Sequence, residues 1–262
     1  MTLAMTRALQ QGLGNHVLGI ASYAMPTGLS LSLHTQSPTE DGLATWEVSG
    51  GGYARADITG LMSPANVSTG ISRLDNVVNI GPATTGWGTI THAGIHNQIG
   101  TMLFYGALAP SQTTTIGQQF QLTPGQLTVS IGEAATLWLI KKLLDHVLVG
   151  IEWTMPSAIQ LALHLASPTS SGSVAAEVSG SGYSRAPLTG LMSGVDLASG
   201  VSTLSIDVSI GPAGDDWGTI TDGSLHDQDG NMLIFGQGQE AQIIPIGESF
   251  RLRAGSFAIP FR

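Results

Sequence analysis

Displaced by 130 positions, the sequence aligns with itself without a gap, and this internal repeat constrains the fold more than any local motif. MPTGLSLSLHTQSPTEDG from Met25 lies over MPSAIQLALHLASPTSSG from Met155. EVSGGGYARADITGLMS from Glu47 lies over EVSGSGYSRAPLTGLMS from Glu177, and IGPATTGWGTIT from Ile80 over IGPAGDDWGTIT from Ile210. About 54 of the 130 aligned pairs are identical. Solenoid units run about 20 to 50 residues, so a period this long is a duplicated domain. The expected domains are residues 1–130 and 131–262, two units that share one strand order. Between them, Ser130-Ile131-Gly132-Glu133 has the spacing of a capping box, which predicts that a strand at Thr128 runs straight into a second helix.

Each repeat is expected to open with one helix. Leu9, Leu13, Val17 and Ile20 recur at spacings of four and three, one apolar stripe. Leu139, Leu143 and Val147 repeat it. Leu137, Trp138, Ile140, Leu144 and Leu148 widen it, which predicts a packing element between the units, with a thicker core helix as the alternative. Lys141 and Lys142, the only lysines, are expected on its solvent side. The remainder reads as β. SLSLH at Ser30, LDNVVNI at Leu74, GTITHAGIH at Gly88, TMLFYGAL at Thr101 and QFQL at Gln119 alternate polar with apolar. Gly, Pro, Ser and Asn punctuate them every 8 to 12 residues or so, the spacing of sandwiches and jelly rolls. PSQTTT at Pro110 and the glycines at Gly50 are expected turns or loops. The predicted class is all-β with one N-terminal helix per unit, two tandem jelly-roll-like β-sandwich domains.

Charge excludes several functions. Nine Lys and Arg against 18 Asp and Glu give a net charge of -9 and a pI near 5.0. A binder of nucleic-acid phosphates needs the opposite balance. No cysteine is present, so thiolate metal sites and Cys nucleophiles are excluded. The apolar stretch 134–151 carries Lys141, Lys142, Asp145 and His146, which argues against a membrane span. The first residues lack the apolar run of a secretory leader.

Few residues carry chemistry. His16, His34 and His96 recur as His146, His164 and His226, without a close ligand pair. The reading is structural histidines rather than a metal site. Glu47 and Arg55, with Glu177 and Arg185, flank the Gly-rich segment and are expected to form charge pairs across a hairpin. The alternative, a general acid beside a binding Arg, lacks the second carboxylate that glycoside hydrolysis needs. Asp227-Gln-Asp229-Gly-Asn231 resembles half a calcium loop but lacks its closing Glu, and a hairpin turn is expected. Trp87 and Trp217 are expected to be buried at strand starts, with sugar-stacking platforms as the alternative. No catalytic residue, cofactor or metal is predicted. The second repeat carries most of the acid. Asp215, Asp216, Asp222, Asp227 and Asp229 replace Thr85, Gly86, His92, Asn97 and Ile99, and their cost of burial predicts that they face water.

These motifs resemble a family of tailed-bacteriophage virion proteins, usually labelled tail fibre or minor structural proteins. Related jelly-roll proteins serve as capsid cement or decoration. The resemblance rests on Asn15-His16-Val17-Leu18, Leu33-His34-Thr35, Glu47 to Arg55, Trp87 to Ile95, Leu103 to Leu108 and Gly117 to Gly125. Asp145 to Leu148 and Glu177 to Arg185 repeat it, with departures at Leu165, Ser224 and Gly238. It covers almost the whole chain twice. It implies a non-enzymatic virion structural protein, made in the host cytoplasm and carried on the particle surface. Its partners would be the major capsid protein or tail proteins, with neither nucleic acid nor membrane. The first placement is capsid decoration or cement, the second a tail or fibre component facing the host, the third a carbohydrate-binding module. A homo-oligomer built on a pseudo-dimeric protomer is compatible with the duplication.

Overall fold

The protein is described by a computed structural model covering residues 1–132 and 134–261. The first repeat contains β1 (Thr2–Met5), α1 (Arg7–Val17), β2 (Leu29–His34), β3 (Ala56–Asp57), β4 (Ile71–Arg73), β5 (Val78–Ile80), β6 (Gly88–Asn97), β7 (Met102–Thr114), β8 (Phe120–Leu122) and β9 (Thr128–Ser130). The second contains α2 (Leu137–Leu144), which continues as a π-helical turn over Asp145–Val149. It then forms β10 (Gln160–His164), β11 (Ala186–Pro187), β12 (Val201–Thr203), β13 (Val208–Ile210), β14 (Thr219–His226), β15 (Met232–Ile243), β16 (Phe250–Leu252) and β17 (Ala258–Pro260). The chain is thus all-β with two short helices, arranged as two tandem jelly-roll-like units. No described helix is long and apolar enough to cross a membrane.

The first repeat builds one sheet in the order β3-β2-β6-β7-β1-β9-β4 and a separate β5-β8 pair. The second builds β11-β10-β14-β15, β12-β17 and β13-β16. Each pairing in the second repeat has its counterpart in the first. The alternation seen in the sequence places the core: Val78 and Ile80 on β5 lie opposite Leu122 and Phe120 on β8, and all four are buried. Strand β2 is buried along nearly its whole length, as a central strand should be.

The compact units draw on both repeats. One comprises Met1–Gln10, Ala24–Ile131 and Ile140–Trp153; the other comprises Gln11–Tyr23, Gly132–Leu139 and Thr154–Arg262. Within the first, Asp145 Oδ1 accepts a hydrogen bond from the Ala65 amide at 2.8 Å. Within the second, Asn15 Oδ1 accepts from the Val195 amide at 2.8 Å. Asn15 and Asp145 are repeat equivalents, as are Ala65 and Val195, so each repeat's helix bonds by the same contact to the loop that precedes β4 or β12 of the other. Ile140, Leu144 and Leu148 are buried, whereas Leu137 and Trp138 are half-exposed. Lys141 is also half-buried, because its Nζ lies 2.5 Å from Asp145 Oδ2; Lys142 is exposed.

Several local expectations fail for physical reasons. Ser130 is not a helix cap: it ends β9, where it pairs with Ile71, and Glu133 lies outside the described residues. The caps are Thr6 and Thr136. Their hydroxyls accept from the amides of Leu9 and Leu139, at 3.4 and 3.2 Å, and donate to the carbonyls of Met102 and Met232. Pro110 is not in a loop but inside β7. Ile90 pairs with Gln112 and His92 with Ala107, so residues 108–111 bulge opposite Thr91, where a missing amide costs no ladder bond. Ile20 lies outside α1 and is exposed. Strand β1 was not anticipated.

Candidate functional site

His34, Glu47, Arg55 and His96 of the first repeat converge on one cluster, and His164, Glu177, Arg185 and His226 of the second on another. In the first repeat the register of β2 sets it up. His34 forms an isolated bridge with Glu47 on one side, while Ser32 lies opposite Gly94 of β6 on the other. Arg55 Nε donates to Glu47 Oε1 at 2.7 Å, and its Nη2 to Oε2 at 2.6 Å, a bidentate fork. The Tyr53 hydroxyl donates to Glu47 Oε1 at 3.0 Å and accepts from the Leu33 amide at 3.0 Å. The second repeat reproduces this arrangement. Arg185 holds Glu177 at 2.7 Å through both arms, and Tyr183 bridges Glu177 to the Leu163 amide.

The histidines attach to the same cluster through a shared hydroxyl. Ser32 Oγ sits 2.8 Å from both His34 Nε2 and His96 Nε2. His96 Nδ1 lies 3.0 Å from the Gly100 carbonyl, so Nδ1 carries the proton and Nε2 accepts. Ser32 therefore donates to His96 and accepts from His34 Nε2–H, which leaves His34 Nδ1 as a bare lone pair. Among the described residues, His34 Nδ1 and His164 Nδ1 are buried without a hydrogen-bond partner. In the second repeat the hydroxyl comes from the facing strand: Ser224 Oγ lies 2.7 Å from His164 Nε2 and 2.8 Å from His226 Nε2. Ala162 stands at the position of Ser32, and Ser224 at that of Gly94.

Electrostatics agree with two neutral rings and one anion per cluster. Burial pushes His34 down to about 4 and also lowers His96, His164 and His226. Burial alone would raise Glu47 and Glu177, but the bonds and charge of Arg55 and Arg185 outweigh it and hold both low. One potential ligand atom from each of His34, Glu47 and His96 falls within 4.8 Å of the others, and His164, Glu177 and His226 do the same. The donor set fits a cation poorly. Both Glu47 oxygens already accept from Arg55, and both His96 nitrogens are engaged, by Ser32 and the Gly100 carbonyl, which leaves His34 Nδ1 as the one uncommitted nitrogen of the three residues. The arrangement instead cross-links β2, β6 and the 47–55 segment.

The remaining candidates fall elsewhere. His16 and His146 accept backbone bonds at Nδ1 from Tyr23 and Trp153, at 3.0 and 3.1 Å. Trp87 and Trp217 are buried, donate Nε1 to the carbonyls of Gly51 and Ser181, and meet Tyr53 and Tyr183 edge-on. Neither indole is an open stacking platform. Asp227 closes the β14–β15 hairpin: Oδ1 accepts from the amides of Asp229 and Asn231, while Oδ2 accepts from Asn231 Nδ2. Asn97 does the same in the first repeat through the amides of Ile99 and Thr101. The expectation that all five added acids face water is corrected. Asp215, Asp216 and Asp229 are exposed, but Asp222 and Asp227 are buried, with Thr221 and the turn amides as hydrogen-bond donors.

Comparison with known proteins adds one finding. A family model described as "Podophage GP4 fiber I protein gp80" matches the chain twice, over residues 4–130 and 134–260. No curated protein matches it.

Proposed function

The chain belongs to the podophage GP4 fibre I protein gp80 family, present twice in tandem, and on that premise we propose that it is a fibre component of the phage particle that acts by holding other virion proteins rather than by catalysis. A virion structural role follows from the family itself. The finer placement, fibre rather than capsid decoration, is supported by the family's description, which reverses the order favoured by the sequence. The non-enzymatic reading is supported by the clusters. Each holds one carboxylate, already bonded by Arg and Tyr, where two independent acids would be needed to cleave a glycan. Assembly from the host cytoplasm onto the particle surface completes the reading.

Two experiments test it. Immunogold labelling or a cryo-EM map of intact particles should put the protein in the fibres; density confined to the capsid shell would refute the placement. Glycan-cleavage assays should detect no turnover, and Glu47→Gln or Glu177→Gln should each cost about 2 kcal/mol of stability. That value lies between an exposed and a fully buried ion pair. Cleavage abolished by both substitutions would refute the structural role.

A further inference from the structure

At one surface the second repeat departs from the first in a coordinated way. In the first repeat Thr113 meets Thr89 across the β6–β7 ladder with hydroxyls 3.0 Å apart, and the Thr35 hydroxyl donates to the Trp46 carbonyl at 3.4 Å. Their counterparts are Ile243, which faces Thr219 across β14–β15, and Leu165. Ile243 is 68% exposed and Leu165 41%. Each puts an apolar side chain into water where the other repeat has a bonded hydroxyl. The turn that follows β7 or β15 exposes an isoleucine in both repeats, Ile116 at 72% and Ile246 at 69%.

Local bonds gather these side chains in the second repeat. Leu165 lies 3.4 Å from a Cβ placed on Gly218, and the next residue, Thr219, is the partner of Ile243. Two main-chain bonds tie the turn at Ile246 to the 213–218 loop. The Gly247 amide donates to the Ala213 carbonyl, and the Ala213 amide to the Glu248 carbonyl. The same loop carries acid: Asp216 Oδ1 accepts from the Gly218 amide at 2.8 Å, and Asp215 Oδ1 from the Ser181 amide at 2.9 Å. Asp215, Asp216 and Glu248 are exposed and replace Thr85, Gly86 and Gln118. Among the described residues none of the three forms an ion pair, not even with Arg251 or Arg253 nearby in the sequence. An exposed strand position is served as well by Thr as by Ile, so a free surface gains nothing from the exchange. An apolar centre with a polar rim of one sign is the composition of an interface.

We propose that this patch docks another virion protein through apolar side chains flanked by Lys or Arg. Burial of Leu165, Ile243 and Ile246 supplies the attraction, and the three acids select a basic rim and steer the encounter. A second copy of this chain is a poor occupant. It carries a net charge of -9, and its Arg7, Arg55, Arg73, Lys141 and Arg185 already pair with acids of their own chain. The inference rests on the virion structural role, not on fibre rather than capsid placement.

Particles assembled with back-substituted protein test the patch, each change installing the first repeat's own residue. Leu165→Thr with Ile243→Thr should melt with the parent, yet its copy number in purified particles, read by quantitative immunoblot, should fall about tenfold or more. Asp215→Thr with Asp216→Gly should also be depleted. Raising salt should strip the parent from particles but leave what remains of this variant in place. A parent protein absent from particles refutes the virion role itself, and the proposal with it. A parent that is present, with the Leu165 and Ile243 variant incorporated equally, overturns the patch. A parent indifferent to salt overturns the basic rim. A cryo-EM map of parent particles reads the occupant without any variant: a Lys or Arg of another virion protein should lie beside Asp215 or Asp216. A patch that faces solvent or a second copy overturns the proposal.

Discussion

In the first repeat the hydroxyl that joins two buried histidines comes from Ser32 on β2; in the second it comes from Ser224 on β14, directly across the ladder. The facing positions are Gly94 and Ala162, so the two substitutions compensate. A second contrast has no such compensation. β1 closes the sheet of the first repeat, whereas among the described residues the second repeat shows there only the bridge at Ala135. The duplication therefore preserved a bonding geometry where a buried polar group would otherwise be orphaned.

The largest expected asymmetry lies at two equivalent glycines. Gly106→Ala forces a methyl against the Thr2 carbonyl, so β1 must shift, at a cost of about 3 kcal/mol in thermal or urea unfolding. Gly236→Ala should stay within about 0.5 kcal/mol of the parent. Equal losses at the two sites would break the comparison.

The hydroxyl exchange gives the next effect. Ser32→Ala leaves the two imidazole nitrogens facing each other without a bridge and should cost about 2 kcal/mol. Adding Gly94→Ser recreates the second repeat's arrangement and should recover most of the loss, since the Met102 side-chain end beside Gly94 can move aside. A double variant no more stable than the single one would show that the bridge contributes nothing.

Acid should weaken both repeats in the same direction. His34 titrates near 4 in the folded protein, against an ordinary 6.5. Its contribution is fully present above 6.5 and is lost as pH falls towards 4, because the unfolded chain takes up the proton first. Glu47 and Glu177, held low, add to the loss below the ordinary carboxylate range. Urea unfolding should show roughly 2 kcal/mol less stability at pH 5 than at pH 7 from His34 alone, with the lowered His96, His164 and His226 adding losses of the same sign. A flat profile over that interval would sharpen the comparison against neutral buried rings.

Much of this architecture is readable from the chain. The 130-residue offset, the hairpin runs and the turn at Asn97 and Asp227 follow from period and turn chemistry. The unity of the cluster does not. His34 and His96 are 62 residues apart, and only strand register brings Glu47 beside one and Ser32 between both. One signal was available: Ser32 and Gly94 in one repeat stand against Ala162 and Ser224 in the other, a swap inside a single sequence. Local motifs misled where tertiary pairing overrides them. Ser130 has capping-box spacing but completes β9, and Pro110 has turn composition but sits at a bulge. Strand β1 is four residues long and carries no pattern beyond alternate burial, so its pairing with strands a hundred residues away could not be read locally.

Hydrogen exchange on the full-length protein tests the contrast between the repeats most directly, since both strands are read in one sample. β9 is paired on both sides, by β1 and β4, whereas β17 is paired among the described residues by β12 alone. The amides of Thr128 to Ser130 should therefore exchange markedly more slowly than those of Ala258 and Ile259. Equal protection of the two strands would mean that the second repeat is closed as the first is, and would contradict the account.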